Sequence, residues 1–389
     1  MQVLALEPYY GGSHRAFLDG WMGHSRHDWT LLTLPAHHWK WRMRHAAVDW
    51  ARQFHARCDA GERWDAVVCS DMLDLAAFRG LAPGQFRNLP AVAYFHESQL
   101  TYPTRRTDPR DVHFALTNYT TAMAAERVWF NSAFHRDAFC DALGDLLRKM
   151  PDRSDPDAAE AIRKSAEVRP PGIGEDLFEP SAADAPTDPG NRDSLPAGRP
   201  MHILWAARWE HDKGPAEFFH AIDRLDERGV DFRLSVVGEQ FREVPPEFAT
   251  ARRRHGRRIV RWGYQPTREA YVKALREAEV FVSTARHEFF GIAAVEAAAC
   301  GALPVLPDRL AYPEVFGGAP GRAAQDACSQ GGAACFYGES ADDLADALTE
   351  LAGSGGIGMR ESRAAREDWA RRFSWSRLAR GMDESLERL

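Results

Sequence analysis

Two glutamates, Glu288 and Glu296, lie around a predicted helix start in residues 279–306, EVFVSTARHEFFGIAAVEAAACGALPVL. An apolar run, a polar loop, a stretch of small residues and a second apolar run follow one another here. This pattern predicts a strand, a loop, a helix over residues 291–300 and a second strand, which together form a parallel βαβ unit. The sequence therefore places one carboxylate in the loop before the helix and the other within the helix.

The start of such a helix offers unpaired backbone N–H groups and the positive end of the helix dipole, which suit the phosphates of a nucleotide. Across about 12 Å of helix, Glu296 could accept hydrogen bonds from a ribose while Glu288 accepts them from a hexose. An acidic helix start that binds no ligand is the alternative, since such starts are common in α/β proteins. The residues expected to bring the backbone close to a diphosphate are Phe289, Phe290, Gly291 and Ile292.

Two cations follow another apolar strand pattern in residues 202–213, HILWAARWEHDK. Gly214 and Pro215 are typical of a helix start, so Arg208 and Lys213 fall on a strand-to-helix loop. An arginine can bind a phosphate through two hydrogen bonds, and a lysine acts as a point charge. The pattern predicts a clamp for a diphosphate, and a solvated turn is the alternative.

Ligands of parallel α/β sheets bind beyond the carboxyl ends of the strands, where further loops carry candidate residues. Gly11 and Gly12 follow the first predicted strand, where they could bring amides to a ligand or form a tight turn. His96 follows the fourth strand and could hold a sugar or an acceptor hydroxyl, unless it is an ordinary structural histidine. The predicted base-lining residues, for which simple turns are the alternative, are Gly238, Gly263 and Tyr264.

Four further motifs stand beside this set: residues 7–14 (EPYYGGSH), 34–42 (LPAHHWKWR), 94–103 (YFHESQLTYP) and 205–213 (WAARWEHDK). The clamp and the two glutamates resemble the donor site of retaining, nucleotide-sugar glycosyltransferases of the two-Rossmann-domain (GT-B) type. The N-terminal motifs resemble those of the tRNA-queuosine α-mannosyltransferase family, over most of the chain. The chain departs from the family pattern at Ser98, where Asn is usual.

The resemblance implies a GT-B fold, in which two Rossmann-like α/β domains flank a cleft and a C-terminal helix crosses back to the first domain. It implies a retaining hexosyltransferase that moves mannose from GDP-mannose to the cyclopentenediol of queuosine in a tRNA anticodon loop. The expected catalytic residues are His96, Arg208, Lys213 and Glu288. The resemblance also implies catalysis without a metal. The other glycosyltransferase fold usually holds its metal on an Asp-x-Asp triplet at a strand end, and the one such triplet here, at residues 155–157, follows no strand pattern.

The acceptor is less clearly encoded than the donor. A net charge of −7 argues against a protein that coats nucleic acid, although local basic patches permit tRNA binding. Residues 37–45, HHWKWRMRH, interleave cations with aromatic rings, which can hold phosphates and stack unpaired bases. A second basic cluster covers residues 252–258. The residues predicted to contact the acceptor are Ser13, His14, Trp39, Lys40, Arg42, Arg44, Glu97, Gln99, Arg105 and Arg106.

Three alternatives to tRNA binding stay open. Basic runs are usually solvated faces. A transferase with a lipid or polysaccharide acceptor would need the same donor motifs, and residues 39–45 could then form a membrane-docking helix. A nucleotide-binding module without catalytic activity is the third alternative, against which the complete set of Arg208, Lys213, Glu288 and Glu296 argues.

Length and composition fit two α/β domains, since the chain has 389 residues of which 44% are hydrophobic. Four parts are predicted: an acceptor-side domain (1–176), a linker rich in Pro, Ala, Asp and Gly (177–200), a nucleotide-sugar-binding domain (201–372) and a crossover helix (373–389). Strands are predicted at residues 3–6, 29–32, 66–69, 91–95, 127–130, 202–206, 233–237, 258–262, 280–283 and 303–306.

No apolar run approaches the roughly 18 residues that span a membrane, and residues 1–6 lack the basic region and cleavage site of a signal peptide. The 6 cysteines show no paired metal spacing and fit a reduced protein. We therefore expect a cytoplasmic enzyme without stable membrane association and without a metal or other cofactor. The oligomeric state is not indicated.

Overall fold

The computed structural model of the protein describes residues 1–101, 111–152, 155, 157–179, 200–241, 243–317, 333–353 and 363–389. Contacts among them divide the chain into two compact units. The first unit comprises Met1–Gly172 and Trp375–Leu389, and the second comprises Ile173–Ser374. Residues 180–199 of the predicted linker lie outside the described residues, as do Arg105 and Arg106.

The first unit is built around one sheet of parallel strands. These are β1 (Gln2–Tyr10), β2 (Asp28–Pro35), β3 (Ala66–Ser70), β4 (Ala91–Phe95), β5 (Arg127–Phe130) and β6 (Glu167–Val168). Its helices are α1 (Gly12–His24), α2 (Trp39–Asp59), α3 (Leu75–Leu81), α4 (Gly84–Arg87), α5 (Val112–Ala124), α6 (Ala133–Arg148) and α7 (Asp157–Ser165). The strand order is β2-β1-β3-β4-β5-β6. Because helices cover both faces, β3 and β4 are apolar runs that are buried at every residue.

Alternate residues of β1 pack in two hydrophobic cores, one on each face of the sheet. Leu4 packs on the face covered by α2, whereas Val3 packs on the opposite face, where Trp375 of the C-terminal helix (Trp375–Leu386) also lies. The indole Nε1 of Trp21 donates a hydrogen bond to Asp383 of this helix at 2.8 Å. The last helix of the chain thus completes the core of the first unit.

The second unit repeats the same plan. Its strands are β7 (Met201–Ala206), β8 (Phe232–Val237), β9 (Ile259–Gly263), β10 (Val280–Val282), β11 (Leu303–Pro307) and β12 (Cys335–Tyr337). Its helices are α8 (Pro215–Glu227), α9 (Pro246–His255), α10 (Arg268–Glu277), α11 (Ile292–Ala299), α12 (Tyr312–Phe316), α13 (Ala341–Gly353) and α14 (Arg363–Ala370). The parallel strands run in the order β12-β11-β10-β7-β8-β9, so β7, β8, β10 and their loops lie at the centre of the sheet.

The α/β class, every predicted strand and the predicted helix after Glu288 are confirmed, with shifts of a few residues at the ends. Strands β6 and β12 were not predicted, because strands of 2 and 3 residues are too short to show a period. Cys335 is disulfide-bonded, which corrects the expectation of reduced cysteines throughout. None of the described helices is long and apolar enough to cross a membrane.

Candidate active site

The four residues predicted to bind a donor lie after neighbouring strands of the second unit. Arg208 and Lys213 follow β7, while Glu288 and Glu296 follow β10, which pairs with β7 in parallel. The carboxyl ends of parallel strands meet at one edge of a sheet, and this edge is where ligands of such sheets bind. A pocket opens here, and Lys213, Glu288 and Gly291 contribute to its lining.

Lys213 is held by carboxylates at this edge. Its side chain is only 12% exposed, and its ammonium lies 3.4 Å from Glu288 Oε2 and 3.2 Å from Asp212 Oδ2. The ammonium also donates a hydrogen bond to the carbonyl of His287 at 2.8 Å. Burial alone would lower the pKa of Lys213, but the attraction of Glu288 and Asp212 outweighs burial, and the pKa lies above its usual value. Lys213 is therefore a fixed positive charge at neutral pH.

Glu288 contacts the start of α11 with its own carboxylate. Its Oε1 accepts hydrogen bonds from the backbone N–H of Phe289 at 3.1 Å and of Phe290 at 3.4 Å. Burial raises the pKa of Glu288, but Lys213 and the N–H groups of Phe290 and Gly291 lower it by more. The pKa of Glu288 therefore lies below its usual value. The N–H groups that the sequence assigned to a diphosphate are thus occupied by an internal anion. A phosphate bound there competes with Glu288 for them.

Glycine is required where the chain turns into α11. Gly291 has φ 88°, and a Cβ atom at this position would lie 2.5 Å from the ring of Tyr312. The Tyr312 hydroxyl in turn shares a hydrogen bond with Ser283 at 2.6 Å. Glycine is therefore required here for two reasons, the left-handed backbone and the close approach of the Tyr312 ring.

Glu296 lies about one turn into α11, on the buried side of that helix, and is 9% exposed. Its Oε1 accepts a hydrogen bond from Arg268 at 2.7 Å, and its Oε2 accepts one from the hydroxyl of Tyr271 at 2.8 Å. Arg268 also pairs with Asp176 at 2.9 Å. Arg268 and Tyr271 were not predicted as site residues, although their spacing places them on one face of α10.

The remaining donor candidates lie at the same edge. Gly238 and Gly263 end β8 and β9 side by side, because the N–H of Gly238 donates to the carbonyl of Gly263 at 3.3 Å. Tyr264 is 65% exposed beyond them. Arg208 is half exposed and lies 3.4 Å from Glu210, while the rings of Phe289 and Phe290 are buried. Ile292 is the first residue of α11.

In the first unit, Gly11 and Gly12 form the turn between β1 and α1. Ser13 is exposed in the first turn of α1, whereas His14 points inward and is 6% exposed. The ring of His14 stacks against the ring of His96 with 4.0 Å between centroids. His14 was predicted to contact the acceptor. It is instead buried against the ring of His96 and does not lie on the surface.

Charged groups surround His96. Its backbone N–H donates to Asp71 Oδ1 at 2.8 Å, and His14 Nδ1 lies 3.2 Å from Glu7 Oε2. Burial and the nearby His14 and His135 hold the pKa of the His96 imidazole well below its usual value. The pKa of His14 is about 9 because the attraction of Glu7 outweighs burial, while burial raises the pKa of Asp71 to about 7. Glu7 and Asp71 had no assigned role in the sequence analysis.

Glu7, His14 and His96 each present one possible metal ligand, and these atoms lie within 4.8 Å of one another. Beside them, Gln99 donates to Glu97 at 3.1 Å, and its backbone N–H donates to Asn118 at 2.9 Å. The prediction that catalysis needs no metal stays a prediction.

The predicted aromatic and basic patch forms the first turns of α2. Trp39 packs against Phe114, and Lys40 pairs with Asp111 at 2.6 Å. Trp41 is 57% exposed and stacks on His45 with 4.6 Å between centroids. Two arginines make weaker contacts, Arg42 with the carbonyl of Pro35 at 3.3 Å and Arg44 with Thr117 at 3.4 Å.

The second basic cluster differs from this patch because two of its arginines pair with acids. Arg254 lies 2.8 Å from Asp223, and Arg258 lies 3.0 Å from both Asp226 and Asp231. Part of its charge is therefore neutralised within the second unit, which leaves the start of α2 as the better candidate for contact with phosphates.

Comparison with known proteins narrows the family. Residues 2–173 match the family model described as tRNA-queuosine alpha-mannosyltransferase N-terminal, and residues 191–367 match that of glycosyl transferases group 1. The chain is 34% identical over 315 residues to the tRNA-queuosine alpha-mannosyltransferase of Drosophila melanogaster, covering 81% of each chain. It is 32% identical over 112 residues to the GDP-mannose:cellobiosyl-diphosphopolyprenol alpha-mannosyltransferase of Xanthomonas oryzae pv. oryzae, covering 28% of this chain and 29% of that one.

Solved structures of glycosyltransferases show the same two-sheet fold. The Anabaena protein HepE in complex with UDP matches with a TM-score of 0.66 and 15% identity over 100% of both chains. Sucrose-phosphate synthase from Thermosynechococcus elongatus matches with a TM-score of 0.67 and 16% identity over 100% of this chain and 99% of that chain. The predicted GT-B fold is confirmed.

Proposed function

Because the chain belongs to the tRNA-queuosine alpha-mannosyltransferase family, we propose that it transfers mannose from GDP-mannose to queuosine in tRNA, with retained anomeric configuration. The observation that supports this most directly is the contact of Lys213 with Glu288 at the start of α11, where a cation, a carboxylate and backbone N–H groups converge. We expect the enzyme to act in the cytoplasm without stable membrane association.

The donor diphosphate binds at the start of α11 in this proposal. Departure of GDP leaves negative charge on the β-phosphate, and groups fixed where that charge grows stabilise the transition state. Lys213 supplies a buried charge, and Arg208 can supply two hydrogen bonds. When the diphosphate takes over the N–H groups of Phe289 and Phe290, Glu288 is released toward the hexose. These cations neutralise the leaving group, so the proposal requires no metal.

The carboxylates divide the remaining donor contacts. Glu296 holds the ribose, since Arg268 and Tyr271 fix its carboxylate and each oxygen keeps a further lone pair. Glu288 accepts hydrogen bonds from the hexose and favours positive charge at its anomeric carbon. His96, kept neutral by its surroundings, holds the sugar or the acceptor hydroxyl. No covalent nucleophile is proposed, and the leaving phosphate takes the proton of the acceptor hydroxyl.

The tRNA contacts the start of α2 in this proposal. An anticodon loop presents unstacked bases, which proteins bind by stacking them on aromatic rings and by pairing phosphates with cations. Trp41 offers an exposed ring, and Arg42 and Arg44 offer cations on the same turns. Because Lys40 is already paired with Asp111, we expect it to contribute less.

Radiolabelled transfer tests the proposal. Purified protein is incubated with GDP-[¹⁴C]mannose and either queuosine-bearing tRNA or the same tRNA with unmodified guanine at the wobble position. Label on the modified nucleoside alone is the expected result, with Lys213→Ala as the inactive control. Transfer to a lipid extract instead of tRNA would favour the polyprenol acceptor class of the partial relative. No transfer, together with no thermal stabilisation by GDP, would refute the proposal, since a ligand at 100 times its Kd adds about 2.7 kcal/mol.

A further inference from the structure

The carboxylate of Glu7 is buried and fully satisfied inside the first unit. Its exposure is 1%, and it belongs to β1, where most neighbouring side chains are apolar. Oε1 accepts hydrogen bonds from the N–H of Tyr9 at 2.8 Å and from the hydroxyl of Ser70 at 3.0 Å, while Oε2 faces His14 Nδ1 at 3.2 Å. Three donors at one buried carboxylate fix its position. Burying a charged group costs free energy of desolvation unless the group is paired and hydrogen-bonded.

Glu7 acts on its surroundings through His14. The imidazole of His14 is clamped between the carboxylate and the ring of His96, whose centroid is 4.0 Å away and whose plane is tilted by 33°. Phe17 and Tyr94 pack on other sides of His96, with centroids at 5.2 and 4.7 Å. The rings leave His96 little room to rotate. Its backbone is also tied, because Asp71 accepts from its N–H and Asn131 donates to its carbonyl at 3.2 Å.

We propose that Glu7 is a positioning residue, which holds His14 as an imidazolium against the face of His96 and thereby keeps His96 neutral, with its orientation fixed for the ligand. The inference rests on the proposed function for the role of His96. It extends that function, because it assigns the acidic residue of the first motif to the protonation state of the histidine.

The charges around the two histidines support this assignment. His14 has a pKa of about 9 through Glu7, and the resulting cation, together with burial, lowers the pKa of His96. Among the described residues, the other titratable groups that act on this pair are Asp71 and Glu97, which favour the cation on His14, and His135, which disfavours one on His96. The arrangement therefore places a positive charge on His14 and none on His96.

A metal ion on Glu7, His14 and His96 is the competing explanation for the cluster. Zinc lies about 2.0–2.2 Å from nitrogen and oxygen ligands and needs both histidines deprotonated. Here His14 Nδ1 lies 3.2 Å from Oε2 of Glu7 as a direct ion pair, and Oε1 of Glu7 is already occupied by two donors. The ion pair accounts for the geometry without a metal, and a metal titration decides between the two.

Glu7→Gln tests the proposal, because it keeps an oxygen acceptor and removes the charge. With imidazole-labelled protein followed by NMR, His14 should stay protonated through neutral pH in the wild type and titrate well below pH 9 in the variant. Loss of the His14 cation should then raise the pKa of His96. Since neutral His96 is the active form, the acid limb of kcat should move to higher pH. At pH 5.5 the variant should therefore lose a larger share of its activity than the wild type does.

Four further variants separate this role from mere packing. Ser70→Ala removes a hydrogen bond from the same carboxylate without changing its charge, so its acid limb should match that of the wild type. His14→Phe keeps a stacked ring without charge and should reproduce the shift of Glu7→Gln, while Glu7→Asp should partly restore the wild-type profile. Asp71→Asn identifies any limb that belongs to Asp71.

Unchanged titration of both histidines in a folded Glu7→Gln protein would overturn the inference. Loss of wild-type activity with EDTA and its return with Zn²⁺ would overturn it as well, in favour of a metal site. The NMR titration needs no turnover, so it stands even if the wild type fails to transfer mannose, an outcome that would refute only the proposed function.

Discussion

Two buried ion pairs, one in each unit, show how the same chemistry is used in different ways. Lys213 and Glu288 of the second unit keep 12% and 28% of their side chains exposed, whereas His14 and Glu7 of the first unit keep 8% and 2%. The Lys213 pair lines a pocket, and the N–H groups that hold Glu288 are those an anionic ligand would take. The Glu7 pair is almost fully buried, and Tyr9, Ser70 and His96 contact it. An open pair can exchange its partner for a ligand, whereas a closed pair can only act on its neighbours.

The largest effect should come from removing the ammonium of Lys213 from its pair with Glu288. Lys213→Ala should reduce kcat by about 10²–10³, because it removes a fixed charge from the site where the leaving group becomes negative. Arg208→Ala should have a similar effect. The matched control is Lys273→Ala, since Lys273 lies on the surface of the same unit and only pairs weakly with Glu277. Steady-state transfer assays on folded protein measure this, and near-normal turnover in both clamp variants would disprove the clamp.

The two carboxylates of the donor site should separate in their kinetic effects. Glu288→Gln should lower kcat about ten- to a hundredfold with no loss of GDP affinity, because its partner in the complex is the hexose and GDP only competes with its carboxylate for the N–H groups. Glu296→Gln should instead weaken GDP binding, because its partner is the ribose. Calorimetric titration with GDP and transfer kinetics give the two quantities separately. Equal losses of GDP affinity would mean that the two carboxylates are wrongly assigned.

The sequence was informative for the open pair and much less so for the closed one. Lys213 and Glu288 follow apolar strands as polar residues in loops, so both the strand pattern and the ligand edge could be predicted. Glu7 was hidden because β1 continues through it to Tyr10, beyond the predicted end at residue 6. Asp71 and Ser70 come from a different strand end, and only tertiary packing brings them to His96. A pattern that is local in sequence cannot show which buried polar groups meet across strands.

On the surface of α2, in contrast to both buried pairs, the charges of Arg42 and Arg44 are available to attract the phosphates of a tRNA. Reversing Arg42 and Arg44 to Glu should flatten the dependence of tRNA affinity on salt, since each lost phosphate contact removes about 0.7–0.9 from the logarithmic slope. Filter binding between low and moderate salt measures the slope. Arg380→Glu is a suitable control, because Arg380 is exposed on the C-terminal helix of the same unit and pairs only with Glu384. An equal change in slope for this control would remove the patch from the interface.

The smallest expected effect concerns the support of the ribose carboxylate. Tyr271→Phe removes one hydrogen bond to Glu296 and leaves Arg268 in place, so Glu296 keeps its charge and one of its two anchors. A hydrogen bond of this kind contributes about 0.5–1.5 kcal/mol, which corresponds to roughly a two- to tenfold increase in the Kd for GDP. Because Tyr271 touches neither Lys213 nor Glu288, kcat at saturating donor should stay unchanged. If kcat falls while the Kd for GDP does not move, Glu296 acts on the reacting sugar and not on the ribose, and the division of labour between the two glutamates is reversed.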